Sequence, residues 1–529
     1  MIETTETMTT RDGVELVATL WRPDQDGSHP VLLSRTPYGR GPQAPGYHLD
    51  VERLVAAGYA VCLQDVRGTG SSQGEFRFIR GEAADGHDAV RWAATRPWSD
   101  GNVGMFGDSY LAITQLLAAQ ERPEGLRAIA PHVSPFGLYE CVHQPGGIPN
   151  LNVFLTVSLM VLAVQELDRR IAAGTGGPRD REAYLEAVGM PHAFARTVQE
   201  LSERVPPGDQ PLLADLVPFY STFMNTTDPA DPLWREGVVD HAAIETPALV
   251  GTGWYDYFNA ASIEHYLRLR GPRRLIVGPW SHISHGRDIC GRDYGDRAGQ
   301  DAVDWTGIHL DWFDHWLRGV PVRESAPVKI FVMGADEWRE EESWPLTRAR
   351  PVPYHLGADG TLGTEPAGGG AAGAFTADPG DPVPTVGGAV MVFDAFGPLD
   401  QRPLDARGDV LRHRTEPLAT AVEVSGRVEL VALVSSTAPS ADVAAKLIDV
   451  HPDGHAELLI DGIVRVTGLT PGEPREVRVP LGWTSNLFRP GHRIRIDVAG
   501  SNFPRFARNP DKGTTTLHAP SYVLLPTIE

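Results

Sequence analysis

The first third of the chain alternates short apolar runs with stretches of helical period. Residues 30–34 and 60–64 are brief apolar runs bounded by turn residues, the pattern of strands buried in a parallel sheet. Between them, 50–57 reads as a helix ended by Gly58, because glycine accepts the left-handed backbone of a helix C-terminus. Residues 85–94 predict a second helix closed by Pro97, 103–107 another strand, and 110–120 a helix that follows it directly. This spacing predicts right-handed βαβ units.

Near residue 145 the character changes. Residues 151–172, 181–189 and 191–204 keep helical periodicity without strand-like alternation, which predicts an inserted helical segment over 145–240. The strand pattern resumes at 247–251 and 274–278 and ends in the amphipathic stretch 306–317. Beyond 351, the Gly- and Ala-rich 367–373 reads as a flexible linker or long loop. Period-2 runs follow, such as 427–434 and 493–498, and predict an antiparallel β-sandwich. The expected organisation is an α/β domain in two parts (1–144 and 241–350), a helical cap between them (145–240), and a sandwich (351–529).

Composition narrows the function classes. A chain of 529 residues exceeds the roughly 250–300 at which one core stops growing, which suits several domains. Its 47 Lys+Arg against 68 Asp+Glu leave a net charge of −21, which disfavours nucleic acid or an anionic membrane as partner. Cys62, Cys141 and Cys290 are an odd set without CxxC spacing, so neither a disulfide framework nor a thiolate zinc site is expected. The N-terminus shows no basic and apolar regions of a signal peptide, and the longest apolar run, 153–164, is too short to span a bilayer. The expectation is a soluble cytoplasmic protein.

The junction Phe106-Gly107-Asp108-Ser109-Tyr110-Leu111-Ala112 carries the chemistry. A serine nucleophile needs a sharp strand-to-helix turn so that its Oγ stands clear and the next N–H points into the same space. Gly107 fits two places before Ser109, but Leu111 stands where G-x-S-x-G wants glycine, so the tripeptide alone also fits a helix N-cap. Chain order adds weight. Asp256 follows one downstream strand, His282 follows the next, and nucleophile, acid and base in that order suit a hydrolase whose site lies at strand carboxyl ends.

Gly107-x-Ser109-Tyr110, Gly253-Trp254-Tyr255-Asp256 and Gly278-Pro279-Trp280-Ser281-His282 together resemble the cocaine esterase-like (CocE/NonD) hydrolases, within the X-Pro dipeptidyl-peptidase and α-amino-acid ester hydrolase group. Thr10 to Leu16, Arg35-Thr36-Pro37-Tyr38, Asp65 to Gly74 and Ser501 to Pro510 extend the likeness over nearly the whole chain. The resemblance implies an α/β-hydrolase domain, a helical cap and a C-terminal jelly roll. It also implies an oxyanion hole from the Tyr38 hydroxyl and the Tyr110 N–H, a catalytic set of Ser109, Asp256 and His282, and no cofactor or metal. One departure is Ala112, where the family usually has glycine.

Within the group, ester hydrolases that hold a substrate ammonium place carboxylates two and three residues after the catalytic aspartate. This chain has Phe258 and Asn259 there, and a desolvated ammonium needs an anion. Glu140 and Asp215, in or near the cap, keep an aminopeptidase-like specificity in view. The expected substrate is a small-molecule ester, or an amide, with a minority of residues 153–164 lining its pocket. An acyltransferase using the same acyl-enzyme is the rival reading. A metal hydrolase on His282, His285 and Asp288 is a remote alternative, since no helix and no further ligand motif accompany that spacing. Gly68 to Gly74 lacks the third glycine of a dinucleotide loop and reads as a structural turn with Arg67 anchored beside it. His309 and His315 read as packed or surface histidines. Homo-oligomerisation is left open.

Overall fold

The computed structural model describes residues 1–25, 27–41, 49–321, 326–366, 368–391 and 395–528. Its first unit is a mixed sheet of ten strands: β1 (Ile2–Thr9), β2 (Glu15–Arg22), β3 (His29–Thr36), β4 (Ala60–Asp65), β5 (Ser99–Asp108), β6 (Leu126–His132), β7 (Ala248–Tyr255), β8 (Arg273–Ser281), β9 (Val328–Val332) and β10 (Glu337–Glu341). They lie in the order β1-β2-β4-β3-β5-β6-β7-β8-β9-β10. From β4 to β9 every pairing is parallel, while β1, β2 and β10 are antiparallel additions at the edges. The central strands are buried on both faces, as their continuous apolar runs require. Helices Glu82–Ala94, Tyr110–Gln120, Asn259–Arg268 and Trp305–Arg318 cover them.

The cap leaves the sheet after β6 and returns before β7. Its main helix runs unbroken over Leu151–Ala172, 22 residues, with a π-helical stretch at Ser158–Leu162. By length and composition alone this helix could cross a membrane, yet 61% of its most apolar window is buried inside the protein. It exceeds the apolar run 153–164 because an amphipathic half, Ala163–Ala172, continues it. Shorter helices follow at Pro178–Ala187, Phe194–Ser202 and Phe219–Asn225.

The C-terminal unit is a sandwich of two antiparallel sheets. One is built on Val422–Ser436, Arg475–Phe488 and Gly513–Ile528; the other holds Val410–Arg414, Arg493–Ala499, Ser440–Val450 and Ala456–Thr467. Here one expectation is corrected. The second half of 367–373 is not linker: Ala371–Ala377 is a strand paired with Gly513–Ile528, while Ala367 lies outside the described residues. Alanine and glycine carry no alternation to betray a strand, and backbone pairing supplies what the side chains do not.

Candidate active site

Ser109 sits between the last residue of β5 and the first of helix Tyr110–Gln120, at φ 61° and ψ −118°. A non-glycine residue in the left-handed region stores strain, and a nucleophile elbow is where such strain persists. Its neighbours show how the turn closes without glycine at position 111. Gly107 has φ 128°, and a Cβ there would lie 2.6 Å from the Leu111 Cβ. The space a second glycine would leave is thus filled by Leu111, and Gly107 alone gives way. Ala112 is fully buried, and its N–H donates to the Ser109 carbonyl at 3.0 Å.

The expected acid and base follow the ends of adjacent strands. Asp256 comes directly after β7 and His282 directly after β8. His282 Nδ1 and Asp256 Oδ2 are 2.7 Å apart, and the Asp256 side chain is fully buried. The other carboxylate oxygen accepts the Phe258 N–H at 2.6 Å. The Tyr257 ring lies 4.1 Å from the imidazole and Phe258 closes its edge at 5.7 Å, so Asp256 and two aromatic rings orient the His282 ring. Asp108, beside the nucleophile, is held far above the carboxylate range by burial and then by the charge of Asp256.

Tyr38 lies past the end of β3, its N–H donating to Thr36 Oγ1 at 2.9 Å. Its hydroxyl is in hydrogen-bond contact with the Ser109 side chain and the Tyr110 backbone N–H. Burial pushes the phenol up to about 12, so it remains a donor at neutral pH. Tyr110 is in turn anchored from below: its hydroxyl donates to Glu82 at 2.8 Å, and Glu82 pairs with the fully buried Arg35 at 2.6 Å. Burial raises the Glu82 carboxyl, with Arg35 opposing it. Arg35 lies in β3, the strand that leads to Tyr38, so one buried ladder ties the tyrosine loop to the elbow. Sequence reasoning missed Glu82, since a lone glutamate opening a helix carries no signal of a partner 47 residues away.

Ser109 opens into a small cavity of about 30 Å³ lined by Tyr38, Phe78, Tyr110, Val153, Phe154 and Tyr257, among others. Three residues of the run 153–164, namely Val153, Phe154 and Val157, reach it. No carboxylate lines this cavity among the described residues. Glu140 instead lines a neighbouring cleft of about 490 Å³ between the two units, which shares Tyr257 and Phe258 with this cavity, and Asp215 pairs with Arg170 at 2.6 Å on the cap surface. Asn259 donates to the Gly253 carbonyl at 2.9 Å, a structural task.

The remaining candidates separate cleanly. His285 packs on Trp280, and Asp288 is exposed and accepts the Gly291 N–H, so the metal grouping with His282 does not form. Arg67 is anchored by Asp85 and Asp12, and a Cβ on Gly70 would run into the Asp65 carboxylate at 2.2 Å, which makes the 68–74 segment a structural turn. His309 is buried against His132 and His315 is bonded to the Val320 carbonyl. Cys62, Cys141 and Cys290 are not joined by a disulfide.

An α/β-hydrolase sheet carrying a serine at its elbow and an acid–histidine pair at neighbouring strand ends defines the class: a serine hydrolase. Residues 12–284 match the X-Pro dipeptidyl-peptidase (S15 family), and 321–525 match the X-Pro dipeptidyl-peptidase C-terminal non-catalytic domain. The chain belongs to this family. It is 38% identical to the cocaine esterase of Rhodococcus sp. (strain MB1 Bresler) over 95% of this chain and 91% of that one. Among solved structures, an α-amino acid ester hydrolase superposes with a TM-score of 0.78 at 23% identity, covering 99% of this chain and 96% of that one. A CocE/NonD family hydrolase from Staphylococcus aureus gives 0.71 at 20% identity, over 99% and 94%. These likenesses agree on the fold.

Proposed function

We propose that the protein hydrolyses a carboxylic ester through an acyl-enzyme on Ser109. The observation that carries this reading is the convergence of the Tyr38 hydroxyl and the Tyr110 N–H beside Ser109 at a strained elbow. Ser109 Oγ attacks the ester carbonyl while His282 takes its proton. Asp256 fixes the imidazole tautomer through Nδ1 and stabilises the imidazolium. Tyr38 and the Tyr110 N–H hold the oxyanion, a term worth about 2.7–4 kcal/mol for each donor. His282 then protonates the departing alcohol, and water activated by the same histidine releases the acid. This acyl-transfer chemistry draws on no metal or cofactor. The aromatic and aliphatic cavity wall supports an apolar acyl group. Among the described residues no carboxylate lines that wall, which favours an uncharged acyl group over a substrate held by a free ammonium, as an X-Pro aminopeptidase would need. The sandwich, in this reading a jelly roll, closes the wider cleft behind Asp256, and the enzyme works as a soluble cytoplasmic protein.

Fluorophosphonate labelling with intact mass and peptide mapping tests the assignment. One adduct, on Ser109 and absent from Ser109→Ala, is expected. An adduct elsewhere, or none, overturns it.

A further inference from the structure

The sandwich holds a side-chain cluster that the hydrolase chemistry does not use. Asp449 is the penultimate residue of strand Ser440–Val450, His451 follows that strand, and His492 immediately precedes the neighbouring strand Arg493–Ala499. One ligand atom from each of the three lies within 4.8 Å of the other two. His492 Nδ1 is 2.8 Å from Asp449 Oδ1, and Asn486 donates to the other carboxylate oxygen at 3.4 Å. The His451 and His492 rings face each other at 4.5 Å. Asp449 is 3% exposed, while the His451 side chain is 30% exposed, so the cluster is buried at its carboxylate and open at one imidazole.

From this geometry we infer that Asp449, His451 and His492 form a binding site for a divalent transition metal of the zinc class. Two imidazoles with one carboxylate suit zinc and its neighbours rather than magnesium or calcium, which want oxygen ligands. Bond lengths of about 2.0–2.2 Å set tetrahedral ligand atoms roughly 3.3–3.5 Å apart. Asp449 and His492 are already closer than that, and His451, on an exposed turn, moves in to complete the set. Water takes the fourth position. Glu457 lies 3.6 Å from His451 but faces Arg292 at 3.4 Å, so it stays outside the first coordination sphere.

The charge around the cluster agrees. Arg292 pairs with Asp336 and Glu457, and Arg489 reaches Asp336, whereas the Asp449 carboxylate is met by the His492 imidazole and the Asn486 amide, groups that leave its charge for a cation to neutralise. The location gives the metal a task. Arg489, in the turn before His492, donates to the Gly334 carbonyl at 2.7 Å, and the Tyr255 hydroxyl donates to the Leu458 carbonyl at 3.1 Å. A metal here would clamp two turns of the sandwich where it meets the β9–β10 hairpin and the strand that ends before Asp256.

The test uses the full-length protein, stripped with a chelator, re-dialysed against micromolar zinc and assayed for metal by plasma mass spectrometry. One zinc per chain is expected in the wild type and in His455→Ala, whose imidazole neighbours His451 at 5.1 Å but is outside the set. His451→Ala and His492→Ala lose it, as does the zinc-dependent rise in melting temperature. Cobalt in place of zinc gives visible d–d absorption that disappears in the same variants. Because His451 is partly exposed, His451→Ala folds and carries the test even where His492→Ala does not. Ester hydrolysis by His451→Ala remains at the wild-type level in the absence of zinc. Equal zinc content in wild type and His451→Ala, or none in either, overturns the site and leaves Asp449–His492 as a hydrogen-bonded pair closing a turn.

Discussion

The hydrolase unit and the sandwich bury their polar groups in opposite ways. Beneath the sheet, His132 and His309 share a hydrogen bond of 2.6 Å between their Nε2 atoms, and His309 is bonded to the Trp305 carbonyl at 2.8 Å. Nearby, His241 and His265 pair at 2.7 Å with Phe136 stacked on both. Burial drives His241 and His309 down to about 4 and His265 to about 3, so these imidazoles stay neutral. The sandwich buries charge instead: Arg465 with Asp442, Arg495 with Asp497, and Arg505 with Asp461. A hydrolase core that must generate one transient imidazolium gains from neutral surroundings, because fixed charges at low dielectric act over long distances. Ion pairs do occur in the hydrolase unit, among them Arg35–Glu82 under Tyr110, Arg67–Asp85 and Arg40–Asp65. A unit with no reaction to run can use ion pairs to fix strand register and junctions.

The largest effect that sharpens this contrast belongs to the hydrolase. Ser109→Ala should lower kcat for an aryl ester by about 10⁴–10⁶ while leaving the melting temperature nearly unchanged. A loss below a hundredfold would break the assignment. In the sandwich the balance inverts. Asp442→Ala leaves Arg465 buried without its carboxylate partner, which should cost about 3–5 kcal/mol in denaturant unfolding. Ester hydrolysis by the folded fraction should stay within a factor of two. Tyr38→Phe removes one oxyanion donor and should lower kcat about 10²–10³-fold, with KM little changed.

The neutral histidines make a pH prediction. An unfolded histidine titrates near 6.5, whereas His265 and His309 hold out to about 3 and about 4. Between those limits the unfolded chain binds protons that the folded one refuses, so stability falls as pH drops below 6.5. Each of these two fully buried imidazoles should remove on the order of 1 kcal/mol between pH 7.5 and 5.5. His143 and His241 push in the same direction. Urea titrations at the two pH values measure the change; equal midpoints would show that the histidines take up protons in the fold.

Where the chain could be read, it was read from strand ends. Ser109, Asp256 and His282 each follow a short apolar run, and the order of the three residues is visible without any structure. Tyr38 was different: only the family likeness separated it from an ordinary aromatic after Pro37. Glu82 and Arg35 could not be found, since a buried pair is made by two elements meeting in space. The cap pocket was equally opaque. An apolar helix reads the same whether Phe154 faces a core or a cavity, so the pattern gave the helix but not its cavity-lining residues.

Ala112 gives the smallest and most local prediction, and it bears on how much of the elbow the family pattern dictates. The methyl is fully buried in the first turn of the helix after Ser109, and the Ala112 N–H already bonds the Ser109 carbonyl. A side chain added at Gly107 would meet Leu111 and Ser34 first, so the tight approach of strand and helix is at position 111 rather than 112. Ala112→Gly should therefore relieve nothing. It should cost about 1 kcal/mol through the greater backbone entropy of glycine in a helix, with a further small loss from the void it leaves. Ester hydrolysis should stay within twofold, because the N–H proposed to hold the oxyanion belongs to Tyr110, which Glu82 anchors independently. A several-fold gain in kcat together with higher stability would show that the methyl strains the elbow, and would restore glycine as the residue the turn requires.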